Sequence, residues 1–160
     1  MELKLIRAII PEGANIILGQ THFIKTVEDL YEAVRTTVPE AKFGVALCEA
    51  SGPRLVRSEG NDEGLKKAAV ENALAIGAGH LFVIILKGAF PINILNQVKA
   101  CPEVASVFCA TANPLQVIII ETSQGKGVLG VVDGFSPLMA EGQKDIEERR
   151  AFLRKIGYKL

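Results

Sequence analysis

The chain has 160 residues, of which 49% are hydrophobic and 22% are charged. This composition excludes a disordered or fibrous chain and predicts a globular protein with a large core, one domain over residues 1–160. The 18 basic and 18 acidic residues give a formal net charge of zero, so we expect no nucleic acid partner, since such partners normally meet a basic surface.

Apolar runs and cysteines indicate the cellular setting. The longest uninterrupted apolar run, Leu81 to Leu86, is far shorter than the roughly 20 residues that cross a bilayer. We therefore expect a soluble protein without membrane contact. The cysteines, Cys48, Cys101 and Cys109, are odd in number and lack metal-like spacing. They favour reduced, mostly buried thiols, a cytoplasmic location and no metal site.

The first elements follow turn and capping signals. Residues 2–10 and 14–20 are predicted as two strands joined in a hairpin at Pro11-Glu12-Gly13, because that turn signal separates β-branched runs. Thr26 is expected to cap a helix that continues to about Thr36. A strand over Lys42–Ala50 comes next.

The elements after residue 60 have clearer sequence signals. Asn61 or Asp62 is expected to cap a helix that runs to Ile76, and Gly77 fits the left-handed position after it. The run Leu81–Leu86 is typical of a strand buried on both sides, near the centre of a sheet. Further predictions are helices over 92–100 and 144–155, and strands over 105–110, 115–121 and from the 123–126 turn to 132.

The order of these elements is β-β-α-β-(β)-α-β-α-β-β-β-α. Hairpins mixed with crossovers argue against a uniform βαβ repeat. We therefore predict an α+β fold, a mixed sheet with helices on its faces, and not a Rossmann fold. A P-loop fold is not expected either, since G-x-x-x-x-G-K-[ST] does not occur.

A glycine pattern in "GKGVLGVV" imitates a nucleotide fingerprint. Gly125, Gly127 and Gly130 match G-x-G-x-x-G, but a dinucleotide fingerprint runs from a strand into a helix. Here the pattern lies in an expected hairpin and continues as a strand. Direct contact with phosphate is therefore not expected at this turn.

Histidines limit the acid-base chemistry, because the chain has only two. His22 lies in "GQTHFIKT", between a strand end and a helix start and close to Lys25, where an anion can be attracted. His80 opens a buried strand, where a structural role is more natural. For either histidine, the alternative is a hydrogen-bonded packing residue.

Charged side chains crowd into "CEASGPRLVRSEGND". Glu49, Arg54, Arg57 and Asp62 flank a turn that contains Ser51 and Gly52. Such turn residues are explained by conformation alone, so this segment is either a solvated loop or a ligand site. In "ATANP", Asn113 is first a turn residue, but its amide could also read a purine edge.

Together, the motifs resemble those of the adenosine-specific kinase family. The resemblance rests on "GQTHFIKTVEDLYEA", "KFGVALCEASGPRLVRSEGND", "NALAIGAGHLFVIILKGAFPINILN", "FCATANP", "GVLGVVDG" and "RRAFLRKIGYKL". It implies a mixed α+β domain that binds adenosine or AMP, and more weakly a phosphotransfer activity in which a histidine carries phosphate. The implied motif positions are His22, Glu49, Ser51, Gly52, Arg54, Arg57, Asn61, Asp62, His80, Asn113 and Asp133.

General chemistry then assigns roles within this set. His22, Glu49, Arg54 and Arg57 are candidate catalytic residues, because phosphoryl transfer needs cationic donors and a group that orients the hydroxyl. Candidate ligand-binding residues are Lys25, Ser51, Gly52, Asn61, Asp62, His80, Asn113 and Asp133. Mg²⁺ is a further expectation, since carboxylates often hold it in such reactions.

Three alternatives remain open from the sequence. The first is a phosphotransferase acting on adenosine. The second, favoured by the missing ATP-binding motif, is a non-catalytic sensor of adenosine or AMP. The third is a purely structural or partner-binding protein. A homo-oligomer, with a trimer as the guess, is the expected assembly.

Overall fold

Eight strands and four helices make up the chain, and the computed structural model describes all of residues 1–160. The strands are β1 (Glu2–Arg7), β2 (Ala14–Gln20), β3 (Lys42–Cys48), β4 (Val56–Gly60), β5 (Leu81–Lys87), β6 (Ser106–Thr111), β7 (Leu115–Glu121) and β8 (Lys126–Asp133). The helices are α1 (Thr26–Thr37), α2 (Glu63–Ile76), α3 (Pro91–Ala100) and α4 (Gln143–Lys155). None of the four is long and apolar enough to cross a membrane.

The strands divide between two antiparallel sheets. A five-stranded sheet has the order β4-β3-β5-β2-β6, and a three-stranded sheet has the order β1-β7-β8. The predicted α+β class is confirmed. The central place expected for the run Leu81–Leu86 is confirmed too, since β5 is the middle strand and every residue of that run is buried.

Two apolar cores cover the faces of the five-stranded sheet. On one face α1 and α3 pack through Leu30, Val34, Ile94 and Val98. On the other face lie α2 and, beside it, the three-stranded sheet. Because strands β2, β3 and β5 are covered on both faces, they carry continuous apolar runs instead of an alternating pattern.

Helix α2 follows its sequence signals closely. The Asp62 carboxylate accepts a hydrogen bond from the Leu65 backbone at 2.9 Å, and Gly77 ends the helix with φ of +64°. The helix lies very close to β3: a Cβ on Gly44 would come within 2.3 Å of the Lys66 backbone nitrogen. Alanines on the buried face of α2 permit this approach.

Four local predictions were wrong. Strands β1 and β2 do not form a hairpin: the turn at Pro11 is made, with Ala14 N–H donating to its carbonyl at 2.9 Å, but β1 pairs with β7 and β2 with β5 and β6. Thr26 is not a capping residue, because its hydroxyl bonds to the Phe23 carbonyl and the cap position is Lys25. Two strand ends were placed too late: β1 ends at Arg7 and not at residue 10, and β3 ends at Cys48 and not at Ala50.

Candidate functional site

The two histidines meet at one edge of the five-stranded sheet. His22 follows the end of β2, and His80 immediately precedes β5, which runs antiparallel to β2. Their ring centroids lie 6.4 Å apart, with an interplanar angle of 73°. His22 is exposed and His80 is half-buried. Sheet topology therefore brings together the two imidazoles of a chain that has no others.

His80 also holds the edge together through its backbone. Its N–H donates to the Cys48 carbonyl at the end of β3, and its carbonyl accepts from Thr21 N–H, both at 2.9 Å. Thr21 in turn shares a buried hydroxyl contact of 2.6 Å with Thr26 at the start of α1. The loop that carries His22 is therefore fixed to both neighbouring elements.

Backbone strain is concentrated at this edge. Only two non-glycine residues of the chain have positive φ: Arg54 at +53° and His80 at +59°. A side chain in this left-handed region costs roughly 1–2 kcal/mol, and such residues cluster at functional sites. Arg54 closes the turn in which Gly52 also has a positive φ, of +64°, and Ser51 supplies the carbonyl that accepts from Arg54 N–H at 3.3 Å.

Glu49 and Arg57 form the central ion pair of the segment after β3. One carboxylate oxygen of Glu49 accepts a hydrogen bond from Arg57 Nε at 2.8 Å and lies 2.7 Å from Arg57 Nη2 in an ion pair, and the other oxygen accepts from Leu55 N–H at 2.7 Å. The hydrogen bond from Leu55, together with that from Arg57, holds the pKa of the Glu49 carboxyl below its usual value. Glu49 is thus an anion that fixes the loop, with both oxygens occupied.

Lys25 is occupied by acidic partners. Its ammonium group bonds to Asp29 and, at 2.7 Å, to Glu103, and these contacts raise the lysine pKa. The Glu103 side chain is 8% exposed, and its second oxygen has no hydrogen-bond partner. The predicted ligand-binding residue Lys25 therefore anchors the His22 loop in this structure. Glu103 was missed because nothing in its local sequence distinguishes it from a solvated glutamate.

A cleft of about 790 Å³ opens beside this edge. One wall is formed by Glu49 and the turn that carries Arg54, and the opposite wall by the β7–β8 hairpin with Lys126. Arg54 forms no ion pair, and Lys126 forms none within 4.0 Å, although it lies opposite Glu121 in the hairpin and, after Lys4, also lowers the pKa of that carboxyl. Two cations therefore line the cleft, of which Arg54 has no acidic partner. Gly79, the residue before His80, lines the cleft, whereas the two histidines themselves lie beside it and not in its lining.

The glycine pattern of the sequence lies in this hairpin, as expected, and not at a strand-to-helix junction. The turn of the hairpin nevertheless reaches the cleft, because the backbone of Lys126 forms an isolated β-bridge with that of Ala78, just after α2. The Lys126 side chain lies over Gly77, where a Cβ would be 3.2 Å from its Cδ atom. Sequence reasoning missed Lys126, since only this long-range contact places it at the site.

Four predicted site residues lie at the opposite edge of the sheet. Asn61 accepts a hydrogen bond from Phe43 N–H and donates one to the Ala41 carbonyl, each at 2.9 Å, so it lies at the start of β3. His80 bonds instead to Cys48 at the end of β3. Phe43 and Cys48 are about 17 Å apart along the strand, at roughly 3.3 Å per residue. Asp62 caps α2.

Asn113 and Asp133 belong to a separate polar group at that same far edge. One Asp133 carboxylate oxygen accepts from Thr111 Oγ1 at 2.7 Å and from Asn113 Nδ2 at 3.1 Å. Thr111 pairs with Ile16, near the start of β2, so this group lies away from the end of β2 that leads to His22. The structure therefore does not bring these residues to the histidine cleft.

The whole chain was also compared with known proteins. The family model described as adenosine specific kinase matches residues 6–159. The crystal structure of the PH1918 protein from Pyrococcus horikoshii OT3 is 47% identical, with a TM-score of 0.95 over 99% of this chain and 98% of that one. No curated protein matches. The family description points to an adenosine-related function, and the chain belongs to the adenosine specific kinase family.

Proposed function

We propose that this protein binds adenosine or AMP in the cleft beside the histidine pair and transfers a phosphoryl group there. The observation that carries the proposal is that both histidines, the strained Arg54 and the cleft-lining Lys126 lie at a single edge of the sheet. The family description supports the adenosine part. The cleft volume of about 790 Å³ falls within the range of small-molecule sites, roughly 300–1,000 Å³.

Arg54 and Lys126 are the proposed phosphate-binding cations. The guanidinium of Arg54 presents a fork of donors that matches phosphate oxygens, and the ammonium of Lys126 adds a point charge from the opposite wall. Arg57 contributes less directly, since two of its nitrogens are already engaged by Glu49. We assign Arg57 and Glu49 to positioning of the loop that presents Arg54.

His22 is the proposed phosphate carrier, because it is the exposed member of the pair. A ring nitrogen attacks the terminal phosphorus of a nucleoside triphosphate, forming the N–P bond as the bond to the bridging oxygen breaks and the nucleoside diphosphate leaves. The ribose 5′-hydroxyl of adenosine then attacks that phosphorus, so that an O–P bond forms and the N–P bond breaks. The proton of the hydroxyl goes to the His80 ring, and AMP is the product.

The donor set at this edge does not fit a Mg²⁺ ion held by the protein. Mg²⁺ is usually bound through one or two carboxylates together with substrate phosphates. Glu49 is the one carboxylate on the cleft, and both its oxygens accept hydrogen bonds from the protein. No cluster of three or more His, Cys, Asp or Glu side chains suitable for a metal occurs in the chain.

A sensor without turnover is the second candidate, and the same carboxylate favours it. Turnover needs a base for the ribose hydroxyl, and because both oxygens of Glu49 already accept hydrogen bonds, that role would fall to His80 alone. In a sensor the cations would bind AMP, and the histidines would shape the edge of the site. The two candidates share the cleft and differ only in whether His22 becomes phosphorylated.

Two measurements test the proposal. A melting screen with adenosine, AMP and guanosine should show stabilisation by the two adenine ligands; at 100 times Kd a ligand adds about 2.7 kcal/mol. Incubation with adenosine and nucleoside triphosphates should then yield AMP, and His22→Ala should abolish that product while adenosine still binds. No stabilisation by either adenine ligand would refute binding. Binding without product for any donor would leave the sensor.

A further inference from the structure

The loop that carries His22 has few apolar contacts of its own. His22 is exposed, and the next two side chains, Phe23 and Ile24, are 52% and 40% exposed. Burial of apolar surface therefore contributes little to fixing this loop. Its order must come largely from polar contacts with neighbouring segments.

Glu103, in the turn between α3 and β6, bonds to this loop on both sides of His22. The Thr21 hydroxyl donates to the Glu103 carbonyl at 3.1 Å. The Lys25 ammonium donates to the Glu103 carboxylate at 2.7 Å. One residue from a distant segment thus holds the loop through its backbone just before His22 and through its side chain just after it.

The carboxylate of Glu103 is buried at a cost to stability. Its side chain is 8% exposed, and its Oε2 atom is the one buried side-chain oxygen or nitrogen of the chain without a hydrogen-bond partner. An unsatisfied buried acceptor destabilises a fold, and natural proteins retain few of them. A buried ion pair is also often no more stabilising than well-packed apolar side chains of similar volume. Stability alone therefore does not account for this carboxylate.

The second carboxylate on the Lys25 ammonium makes a different kind of contact. Asp29 lies one turn further along α1, so its bond to Lys25 stays within the helix and its cap position. The bond to Glu103 instead crosses from the His22 loop to the segment before β6. The local contact and the long-range contact can therefore be removed separately.

We propose that Glu103 is a positioning residue, which fixes His22 at the histidine pair by holding its loop through Thr21 and Lys25. The consequence for chemistry rests on the proposed transfer through His22, in which the hydroxyl that attacks phosphorus gives its proton to His80. That step needs a fixed separation of the two rings, whose centroids lie 6.4 Å apart. A misplacement of about 1 Å can slow a reaction about a hundredfold. Glu103 does not line the cleft, so it does not contact the nucleoside.

Hydrogen exchange tests the positioning without any turnover. Thr21 N–H donates to the His80 carbonyl at 2.9 Å, so exchange of this amide reports opening of the loop. Glu103→Gln removes the charge from the contact with Lys25 and should speed this exchange about tenfold. That factor is the lower end for a hydrogen bond to a charged group, because Lys25 is 54% exposed. Amides of the central strand β5 should keep their wild-type rates.

Two further variants separate positioning from a general loss of stability. Asp29→Asn removes the local carboxylate from Lys25 and is the matched control, which should leave exchange at Thr21 within about twofold of wild type. Lys25→Met breaks the long-range contact from its half-exposed side, and it replaces Glu103→Gln if that variant does not fold. Equal acceleration at Thr21 and in β5 would mean that Glu103 only stabilises the fold. That result, or an unchanged rate at Thr21, would overturn the proposal.

The split between kcat and binding tests the consequence for transfer. Glu103→Gln should lower kcat for AMP formation about ten- to a hundredfold, while the Kd of adenosine stays within about twofold. Asp29→Asn should keep both values. An unchanged kcat, or a parallel loss of kcat and affinity, would overturn the positioning role. If wild type binds adenosine but forms no AMP, the transfer proposal fails, and exchange at Thr21 alone then decides whether Glu103 positions His22.

Discussion

Replacement of Arg54 by Ala should weaken AMP much more than adenosine. Arg54 lines the cleft and has no acidic partner, so its removal leaves no carboxylate without a counter-charge. The substitution also adds no new backbone strain at φ of +53°, since alanine meets the same left-handed penalty as arginine. The loss in affinity therefore reports the contact between the guanidinium and the phosphate.

The size of the effect follows from that contact. A hydrogen bond to a charged group contributes about 1.5–3 kcal/mol, and Arg54 is exposed, which favours the lower end. Since 1.4 kcal/mol corresponds to a factor of ten, AMP should lose about tenfold or slightly more in Kd. Adenosine lacks the phosphate and should lose less than about twofold, well under 1 kcal/mol.

Isothermal titration calorimetry of wild type and variant with both ligands measures these ratios. Arg7→Ala, at an exposed arginine of β1 outside the cleft, controls for the loss of one positive charge and should change neither affinity. Arg57→Ala gives a contrast: it removes the ion-pair partner of Glu49 and should weaken both ligands together. An equal loss of AMP and adenosine in Arg54→Ala would refute the assignment of Arg54 to phosphate.

Three further predictions concern groups at or near this edge. The pKa of Glu49 is held below its usual 4.5, so this carboxylate stabilises the fold above about pH 4.5 and loses that contribution at lower pH. Urea unfolding should therefore show that acid lowers the stability of Glu49→Gln less than that of wild type. Identical pH profiles of stability would contradict this. Burial raises the pKa of Cys48 to about 11, so iodoacetamide at pH 8 should label it in urea but not in the native protein. His80→Gly removes the proposed base and also relieves a left-handed conformation that costs roughly 1–2 kcal/mol. AMP formation should therefore stop while the melting temperature does not fall. A fall in both would mean that His80 has a structural role.

Local signals predicted the parts of the fold that depend on local physics. The carboxylate of Asp62 and the missing Cβ of Gly77 fix the two ends of α2, and both effects act within a few residues. The central position of β5 could be read from Leu81–Leu86, because a strand covered on both faces needs no polar alternation. Its neighbours in the sheet could not be read in this way.

Strand pairing and the content of the site depended on contacts between distant segments. The turn at Pro11 forms as predicted, but β1 gains its partner from β7, more than a hundred residues away. Because such contacts cannot be read from the sequence, Lys126 was missed as a site residue. For the same reason Asn61 and Asn113 were grouped with the histidines, although they lie at the far edge of the sheet. Residues that belong to one set of family motifs can therefore lie at opposite ends of the strands of one sheet.

A crystal structure of the protein with AMP tests the central claim most directly. The account predicts AMP in the cleft of about 790 Å³, with its phosphate oxygens within hydrogen-bond distance, about 3 Å, of Arg54 and facing Lys126. The ribose should point towards His22. AMP bound instead at the far edge, against Thr111 and Asp133, would contradict the assignment of the histidine cleft as the functional site.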